Sequence, residues 1–483
     1  MLKFSNGFNI INGVKVEALS GESIDVACPS DGVVFAQIAR SKAVDVDAAV
    51  SSAHAAFHSE IWQKTTALER GRMLTRLMQL VERNHDELAA LESRDTGKPL
   101  KQGVADVVAT VRYLEFYGGA ADKLHGDTIP FLDGYTALTL REPHGVVAGI
   151  IPWNYPLQIL SRKMASAIAM GNTFVAKPAE DASLTSLRLA ELALEAGFPA
   201  GVFNVVTGYG HEAGAALASH PLVDFVTFTG STATGTLIQT AAAQNNRGTT
   251  MELGGKSAQI VFADADLEAA APVIVNAIIQ NGGQTCSAGA RVLIERPVYE
   301  KLAAMLAERF SKLVAAPHDQ DADLGAMINA KQAAKIEGYI AGAQAQGIEC
   351  LARGKIAPDV PQGGAYVAPA LFGNVPWDSK LAQEEVFGPV LVLMPFDDEA
   401  DAVRLANSTP FGLVAGVWTR DGARQHRMAK RVRGGQVYIN AYGAGGGVEL
   451  PFGGFGKSGY GREKGMAGLL DMSAVKTVVF KHG

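Results

Sequence analysis

From about residue 146 the chain alternates between short apolar runs and stretches with helical spacing, and this alternation constrains its fold most. The runs are VVAGII, TFVAKP, VFNVVTG, DFVTFTG and SAQIVF, and helical stretches such as SLTSLRLAELALEAG lie between them. Runs that are apolar at every position are typical of parallel strands, because helical crossovers cover both faces of such a sheet. The pattern predicts βαβ units in an α/β fold, the architecture of a nucleotide-binding domain.

A second α/β series follows the MELGG segment, so a second domain is expected to begin near residue 254. Its segments are ARVLIE, a helix opened by Pro297, GPVLVLMPF, a helix over 398–406, LVAGVWT and GGQVYIN. No internal repeat and no low-complexity linker separates the two series, which predicts domains in close contact.

Three segments outside these series have patterns of their own. Residues 66–92 carry apolar residues at helical spacing with charges between them, which predicts one long amphipathic surface helix. Residues 134–145 alternate as a strand with one exposed face, typical of an edge strand or an arm. The tail SAVKTVVFKHG predicts one more short strand.

Composition excludes several classes of protein. The 483 residues are 48% hydrophobic and 19% charged, as in globular proteins of two or three domains. The 43 Lys and Arg stand against 49 Asp and Glu along the whole chain, so no basic face for nucleic acid is expected. The first residues lack a signal-peptide pattern, and no apolar run approaches the roughly 18 residues of a membrane span. These features predict a soluble, cytoplasmic protein.

One of the three cysteines stands in unusual surroundings. Cys28, Cys286 and Cys350 form no CxxC pair and no Cys/His zinc spacing, so neither a disulfide framework nor a metal site is expected. Cysteine is usually buried among apolar residues. The stretch QNGGQTCSAGAR instead places Cys286 among small and polar residues, which indicates a thiol presented for chemistry. Cys28 and Cys350 are interpreted as idle thiols.

Three glycine-rich loops are candidates for binding a phosphate. GFGKSG at 454–459 matches GxGxxG, but no βαβ unit surrounds it. GYGHEA at 208–213 follows a strand, and FTGSTATG at 228–235 offers similar backbone amides with the hydroxyl of Ser231. At most one of the last two loops is expected to hold a pyrophosphate.

Together, the polar landmarks of the chain resemble the aldehyde dehydrogenase superfamily over essentially the whole length. They are IPWNYP at 151, KPAE at 177, FTGSTATG at 228, MELGGKS at 251, GGQTCSAGAR at 282, EEVFGPV at 384 and PFGGFGKSGYGRE at 451. The resemblance implies a Rossmann-like NAD-binding domain over 1–123 and 144–253 and an α/β catalytic domain over 254–455. It also implies a small β oligomerisation arm over 124–143 with a C-terminal strand over 470–483, and therefore a homodimer or homotetramer.

The same resemblance assigns the catalytic residues. Cys286 matches the nucleophile, which adds to the aldehyde carbonyl, and Asn154 matches the amide that stabilises the oxyanion with the cysteine N–H. Glu252 matches the base that activates water against the thioester. Relatives that transfer the acyl group to coenzyme A generally lack this glutamate, so hydrolysis to the free acid is implied. Lys163 and Glu463 match a proton exit route.

The resemblance also implies NAD as the cofactor. Among the matching positions, Glu180 is the most informative, because a carboxylate accepts hydrogen bonds from a free 2'-hydroxyl and repels a 2'-phosphate. NAD is therefore preferred over NADP, although the family rarely shows an absolute preference. The matching residues are Ile151, Trp153, Lys177, Glu180, Gly230, Ser231, Leu253, Glu385 and Phe387.

The substrate is defined less closely. Arg162 matches a position where succinic semialdehyde dehydrogenases grip a distal carboxylate, and aromatic aldehyde oxidisers also carry arginine near this point. Gln280 replaces the second arginine of that clamp. Arg162 is thus predicted to favour anionic or strongly polar aldehydes, the alternative being a basic pair with Lys163 on a solvated helix face. The residues that match the substrate funnel are Tyr155, Ile159, Arg162, Gln280, Thr285, Ser287 and the loop 443–449.

Two other functions remain open at this point. Cys286 alone is compatible with a cofactor-independent cysteine esterase, although no histidine of the chain stands in a motif beside it. A catalytically silent, cofactor-binding structural protein would keep the same fold. The three residues assigned to catalysis favour an active dehydrogenase.

Overall fold

A computed structural model describes residues 7–443 and 447–483, and within these residues the chain forms an α/β protein. The strands are β1 Asn9–Ile11, β2 Val14–Val16, β3 Ser23–Ala27, β4 Val34–Ala39, β5 Thr128–Ile129, β6 Tyr135–Pro143, β7 Val146–Ile151, β8 Thr173–Pro178, β9 Phe203–Val205, β10 Phe225–Thr229, β11 Gly248–Glu252, β12 Ala258–Val261, β13 Arg291–Glu295, β14 Val314–Ala315, β15 Cys350–Arg353, β16 Lys355–Ile356, β17 Ala370–Phe372, β18 Val390–Phe396, β19 Val414–Trp418, β20 Gln436–Ile439, β21 Gly459–Tyr460 and β22 Ser473–Lys481.

The α-helices alternate with these strands through both halves of the chain. They are α1 Ala43–Phe57, α2 Glu60–Lys64, α3 Ala67–Arg83, α4 His85–Thr96, α5 Leu100–Ala120, α6 Pro156–Ala169, α7 Leu184–Glu195, α8 Ala215–Ala218, α9 Thr232–Ala243, α10 Leu267–Ile279, α11 Tyr299–Phe310, α12 Ala330–Ala345, α13 Lys380–Gln383, α14 Glu399–Ala406, α15 Gly422–Arg431 and α16 Gly465–Asp471. Among the described residues, none of these helices is long and apolar enough to cross a membrane.

The first sheet has the strand order β2-β1-β9-β8-β7-β10-β11-β21 in the described part of the chain. Its five central strands, β9 to β11 in that order, are parallel. In β7, Val147 and Ile151 pack into one core, whereas Val146, Ala148 and Ile150 pack into the core on the opposite face. Because both faces are covered, the strand needs apolar residues at every position.

The second sheet has the order β15-β17-β18-β13-β12-β19-β20 and is parallel except at β15, within the same described ranges. The SAQIVF segment, grouped with the first series on sequence, belongs here. This grouping was wrong, because the chain passes from the first sheet to the second between β11 and β12. Strand β12 pairs with β13 and β19. The α/β fold with two parallel sheets is confirmed.

A third sheet has the order β22-β6-β5. The strand expected near 134–145 is therefore central in it, because β22 covers one side of β6 along nine residue pairs and β5 covers part of the other. The C-terminal strand is also longer than expected, since it continues from Ser473 to Lys481. This small sheet stands where the arm was predicted.

The long helix expected over 66–92 is two helices in the structure. The α3 helix ends at Arg83, and α4 begins at His85 after Asn84 has left the helical conformation. The Asn84 side-chain amide donates to the Leu80 carbonyl, which satisfies an acceptor of the last turn of α3. Apolar periodicity continues across the break, so the pattern alone could not reveal it.

Candidate active site

The loop that carries Cys286 joins α10 to β13 through a tight bend. Asn281, Gly282 and Gly283 all adopt positive φ angles of 51°, 62° and 73°. A Cβ atom on Gly283 would lie 2.2 Å from the Gly388 carbonyl oxygen, so the close approach of these two segments requires glycine. The bend leaves Cys286 half-buried, as the polar sequence around it predicted.

The Cys286 thiol lies in surroundings that oppose its ionisation. Burial raises its pKa to about 12, Arg162 acts in the opposite direction, and the carboxylates of Glu252 and Glu385 raise it further. The thiol is therefore protonated at neutral pH. Formation of the nucleophilic thiolate requires a proton acceptor, and Glu252 and Glu385 are the two carboxylates that act on the thiol.

Asn154 lies buried beside this loop, at the turn between β7 and α6. Its side-chain Nδ2 donates to the Gln284 carbonyl at 2.9 Å, two residues before Cys286. Tyr155, the next residue, shares a hydrogen bond of 2.8 Å between its hydroxyl and that of Thr285. Hydrogen bonds thus join the turn after β7 to Gln284 and Thr285, the two residues before Cys286.

Glu252 is the last residue of β11 and its side chain is buried. Neither carboxylate oxygen has a hydrogen-bond partner among the described residues. A Cβ atom on Gly453 would lie 2.9 Å from Oε1, so glycine leaves room for the carboxylate. Burial, with repulsion from Glu463, raises the pKa of Glu252 well above its ordinary value. An unpartnered buried carboxylate is costly and suits a general base.

Glu463 lies near Glu252, in a buried ionic cluster with Arg162 and Lys163. The carboxylate contacts the Lys163 ammonium at Oε1, which also accepts from the Thr227 hydroxyl at 3.3 Å. Its Oε2 lies 2.5 Å from Arg162 Nε, as an ion pair without hydrogen-bond alignment. Burial opposes the charge of Glu463, but the two cations lower its pKa below the ordinary value. Glu463 is therefore ionised.

This cluster corrects one alternative from the sequence. Arg162 and Lys163 do not form a basic pair on a solvated helix face, because α6 is covered on nearly every side. The Arg162 side chain is only 7% exposed, and its guanidinium also lies 5.5 Å from the Phe452 ring centroid. The guanidinium is thus committed to Glu463 in this structure.

At the opposite end of the site, β8 leads to a buried lysine. Lys177 Nζ lies 3.0 Å from Glu180 Oε2 and donates a hydrogen bond to it. Burial would raise the pKa of Glu180, but Lys177 and backbone N–H groups lower it below its ordinary value. An ionised Glu180 can accept hydrogen bonds from ribose hydroxyls.

Gly230 and Ser231 form the entry to α9, between the two previous regions. Ser231 caps the helix, because its hydroxyl accepts from the Thr234 N–H at 3.2 Å. The exposed N-terminus of this 12-residue helix follows the carboxyl end of β10. Helix N–H groups at such a position can bind a pyrophosphate.

Glu385 and Phe387 approach the site from the second sheet. Glu385 Oε1 accepts from the Gly255 N–H at 2.9 Å, and burial raises the pKa of its carboxyl to about 7. A Cβ atom on Gly254 would lie 2.3 Å from Glu385 Oε2, which explains the glycine at this position. The ring of Phe387 lies edge-on to Trp153, with centroids 5.4 Å apart.

The other candidate residues occupy more varied positions. Ile151 ends β7, Ile159 is buried on α6, and Leu253 is buried after β11. Gln280 is exposed, whereas the half-buried Ser287 accepts at its carbonyl from the Tyr442 hydroxyl. Within the funnel loop 443–449, residues 444–446 lie outside the described residues.

Sequence reasoning missed residues that hold this site together. Lys98 donates to the Asn154 carbonyl at 3.0 Å, and Asn281 donates to the same oxygen at 2.8 Å. A signal existed for Asn281, since asparagine before two glycines favours a turn with positive φ. No pattern distinguished Lys98, which lies in the segment TGKP between α4 and α5.

A thiol in the loop before β13, with a buried free carboxylate and an amide at the carboxyl ends of β11 and β7, defines the class of this protein. A model of the aldehyde dehydrogenase family matches residues 16–478, and the chain belongs to that family.

Solved structures resemble the chain throughout. A Burkholderia cenocepacia protein assigned as an aldehyde dehydrogenase is 58% identical, with a TM-score of 0.98 over 99% of this chain and 100% of that one. An aldehyde dehydrogenase from Bacillus cereus, solved as an NAD+ complex, is 39% identical, with a TM-score of 0.96 over 99% and 97%. An indole-3-acetaldehyde dehydrogenase variant from P. syringae, in complex with NAD+ and IAA, is 40% identical, with a TM-score of 0.96 over 99% and 97%.

Proposed function

We propose that the protein oxidises an aldehyde to the carboxylic acid, with NAD as the hydride acceptor and Cys286 as the nucleophile. The observation that carries this proposal is the buried Glu252 carboxylate, which has no partner among the described residues and acts electrostatically on the Cys286 thiol. A base placed in this way serves thioester hydrolysis. Transfer of the acyl group to another thiol would not require it.

The residues divide the chemistry into two steps. The Cys286 thiolate adds to the aldehyde carbon, and the resulting oxyanion receives the Cys286 N–H and the second Nδ2 hydrogen of Asn154. The first hydrogen is held by the Gln284 carbonyl, which orients the amide. NAD, when bound, would supply the hydride acceptor for the thiohemiacetal carbon, and loss of that hydride leaves a thioester on Cys286.

Hydrolysis then needs a base and an exit for its proton. Glu252 removes a proton from water, the hydroxide attacks the thioester carbonyl, and the acid leaves as the Cys286 thiolate is released. The proton passes toward Glu463, Lys163 and Thr227, which are joined by hydrogen bonds behind Glu252. The proposed route gives a catalytic role to the buried charges of Glu463 and Lys163, whose burial is unfavourable for folding.

The cofactor assignment rests on residues that fit a dinucleotide. Glu180, held ionised by Lys177, would take the adenosine ribose, and the N-terminus of α9 at Ser231 would take the pyrophosphate. Glu385 and Phe387 would face the nicotinamide end. Relatives 39% and 40% identical to this chain were solved with NAD+, which supports the same choice here.

We propose an uncharged aldehyde as the substrate, and an aromatic one is favoured. The Arg162 guanidinium is already paired with Glu463, so an anionic tail would have to compete with a buried ion pair. The relative that oxidises indole-3-acetaldehyde, by its name, acts on an aromatic aldehyde without charge. The sequence-based hypothesis of an anionic substrate remains untested.

Assembly and compartment follow from two further features. The arm exposes apolar side chains on β22, with Val475, Val479 and Phe480 each half or more exposed. An exposed apolar edge of this kind favours pairing with a second copy, so we propose a homodimer or homotetramer. A nucleophilic thiol must stay reduced, which favours the cytoplasm.

A burst experiment tests the proposed function. Mixed rapidly with NAD and benzaldehyde, the wild-type enzyme should form NADH continuously, and Glu252→Gln should give one NADH per site followed by slow acid release. Cys286→Ala should form none and should still bind NAD. Absence of the burst in Glu252→Gln would contradict the two-step division. Ester cleavage without NADH formation in the wild type would instead favour the esterase.

A further inference from the structure

Lys98 is a buried lysine whose charge the chemistry above does not use. It follows Gly97, where α4 ends with a φ of 76°, and precedes Pro99, where α5 begins. The side chain turns inward and is about 1% exposed. Burying an ammonium is costly unless each N–H finds an acceptor, so its contacts indicate what the lysine does.

The Lys98 ammonium lies among three oxygens and one ring. Its Nζ is 2.5 Å from Asp106 Oδ2, 3.6 Å from Glu92 Oε1 and 3.0 Å from the Asn154 carbonyl oxygen. It also stands 4.5 Å from the Tyr155 ring centroid. Two carboxylates lie beside the ammonium, and the backbone of the oxyanion residue receives the third contact.

Asn154 is therefore held from two sides. Lys98 and the Asn281 side-chain amide both donate to its carbonyl oxygen, while its own amide donates to Gln284 in the cysteine loop. The Asn281 N–H in turn donates to Gln102 on α5, the helix that follows Lys98. The amide that must meet the oxyanion thus has little freedom to move relative to Cys286.

We infer that Lys98 is a positioning residue for the oxyanion site, and that it fixes Asn154 by its carbonyl so that the amide is correctly placed over Cys286. This inference rests on the proposed oxyanion role of Asn154. Displacement by about 1 Å of a group that must meet a transition state can slow a reaction about 100-fold. A residue that acts only through Asn154 should have no effect when the Asn154 amide is absent.

The experiment is a double-mutant cycle that measures the rate of the NADH burst with benzaldehyde. Lys98→Met should slow the burst roughly 10- to 100-fold, and the NAD dissociation constant should not change. In the Asn154→Ala background, the same substitution should slow it no more than about twofold. Equal losses in both backgrounds would overturn the inference and reduce Lys98 to a residue of the fold.

Companion variants keep the test decisive. Lys98→Met/Asp106→Asn removes both members of the closest pair, so it can be measured where Lys98→Met leaves Asp106 without its cation and fails to fold. Glu92→Gln is the matched control, because Glu92 approaches the same ammonium but accepts from Leu157 and Thr185, and within the described residues it makes no hydrogen bond to Asn154. Its burst rate should stay within about twofold of wild type. A loss equal to that of Lys98→Met would overturn the inference.

Asn154→Ala also separates the two proposals. If this variant alone keeps the wild-type burst rate, the oxyanion role in the proposed function is wrong. If Asn154→Ala slows the burst and both Lys98 variants do not, the oxyanion role stands and the positioning role of Lys98 is wrong.

Discussion

Replacement of Arg162 by methionine should weaken the protein and slow every aldehyde by a similar factor. The substitution removes one of two cations that hold the buried Glu463 carboxylate, and it leaves Lys163 and Thr227 in place. Loss of one partner from a buried pair typically costs about 3 to 5 kcal/mol. Because two partners remain, the lower end applies, about 3 kcal/mol.

For a chain of 483 residues, the entropy of unfolding is about 1 kcal/mol/K, so this loss lowers the melting temperature by about 3 °C. Thermal unfolding followed by tryptophan fluorescence measures the change. Arg162→Lys is the control, since it keeps a cation beside Glu463 and should recover part of the stability.

The kinetic half of this prediction compares kcat/KM for succinic semialdehyde, benzaldehyde and hexanal. If Arg162 bound the substrate carboxylate, its loss would cost the anionic aldehyde alone about 1.5 to 3 kcal/mol, roughly 10- to 150-fold. Because the guanidinium is already engaged in an ion pair with Glu463, the three ratios of variant to wild type should agree within about threefold. A selective loss for succinic semialdehyde would refute the reasoning and restore the substrate-gripping role.

Three other outcomes follow from the same structure. Burial and Glu463 raise the pKa of Glu252. Where acid release limits kcat, kcat should therefore fall with decreasing pH already in a range where a glutamate of ordinary pKa would still be ionised. Glu463→Gln should move that midpoint to lower pH, and a kcat that stays level to about pH 5 would contradict the assignment. Glu180→Ala should raise kcat/KM for NADP relative to NAD at least about tenfold, and an unchanged ratio would place the ribose elsewhere. Light scattering at micromolar concentration should give two or four times the 50.7 kDa of one chain, and a monomer would overturn the proposed assembly.

The sequence predicted elements where local pattern and burial agree. The run VVAGII is apolar at every position because β7 is covered on both faces, and that condition is visible in the letters themselves. Asn84 shows the limit of the same method. One side-chain hydrogen bond to Leu80 ends α3 there, although the apolar spacing continues into α4.

The candidate site shows a second limit, which is distance along the chain. Cys286, Asn154 and Glu252 stand in motifs and could be identified one by one. The surroundings of Arg162 could not, because Glu463 lies about 300 residues away and reaches it only after β21 has paired with β11. Lys98 is similar, since its importance comes from three acceptors on separate segments and not from its neighbours.

The pairing of β21 with β11 makes the C-terminal tail part of the frame of the catalytic base. Asp471 accepts from the Thr250 hydroxyl and from the Arg462 N–H, so the tail is fastened on both sides of Glu463. Immediately after Asp471 and Met472 the chain enters β22.

This arrangement predicts different effects on stability for deletions from β22 and for fusions after it. The His482 and Gly483 N–H groups lie at the Gly134 carbonyl, on the outer end of the arm, and both residues are exposed in a single chain. Deletions should have a larger effect, because each residue removed from β22 removes pairing with β6. This pairing holds the segment that carries Glu463. We therefore expect deletions within β22 to lower the melting temperature of the protein more than a domain fused after Gly483 does.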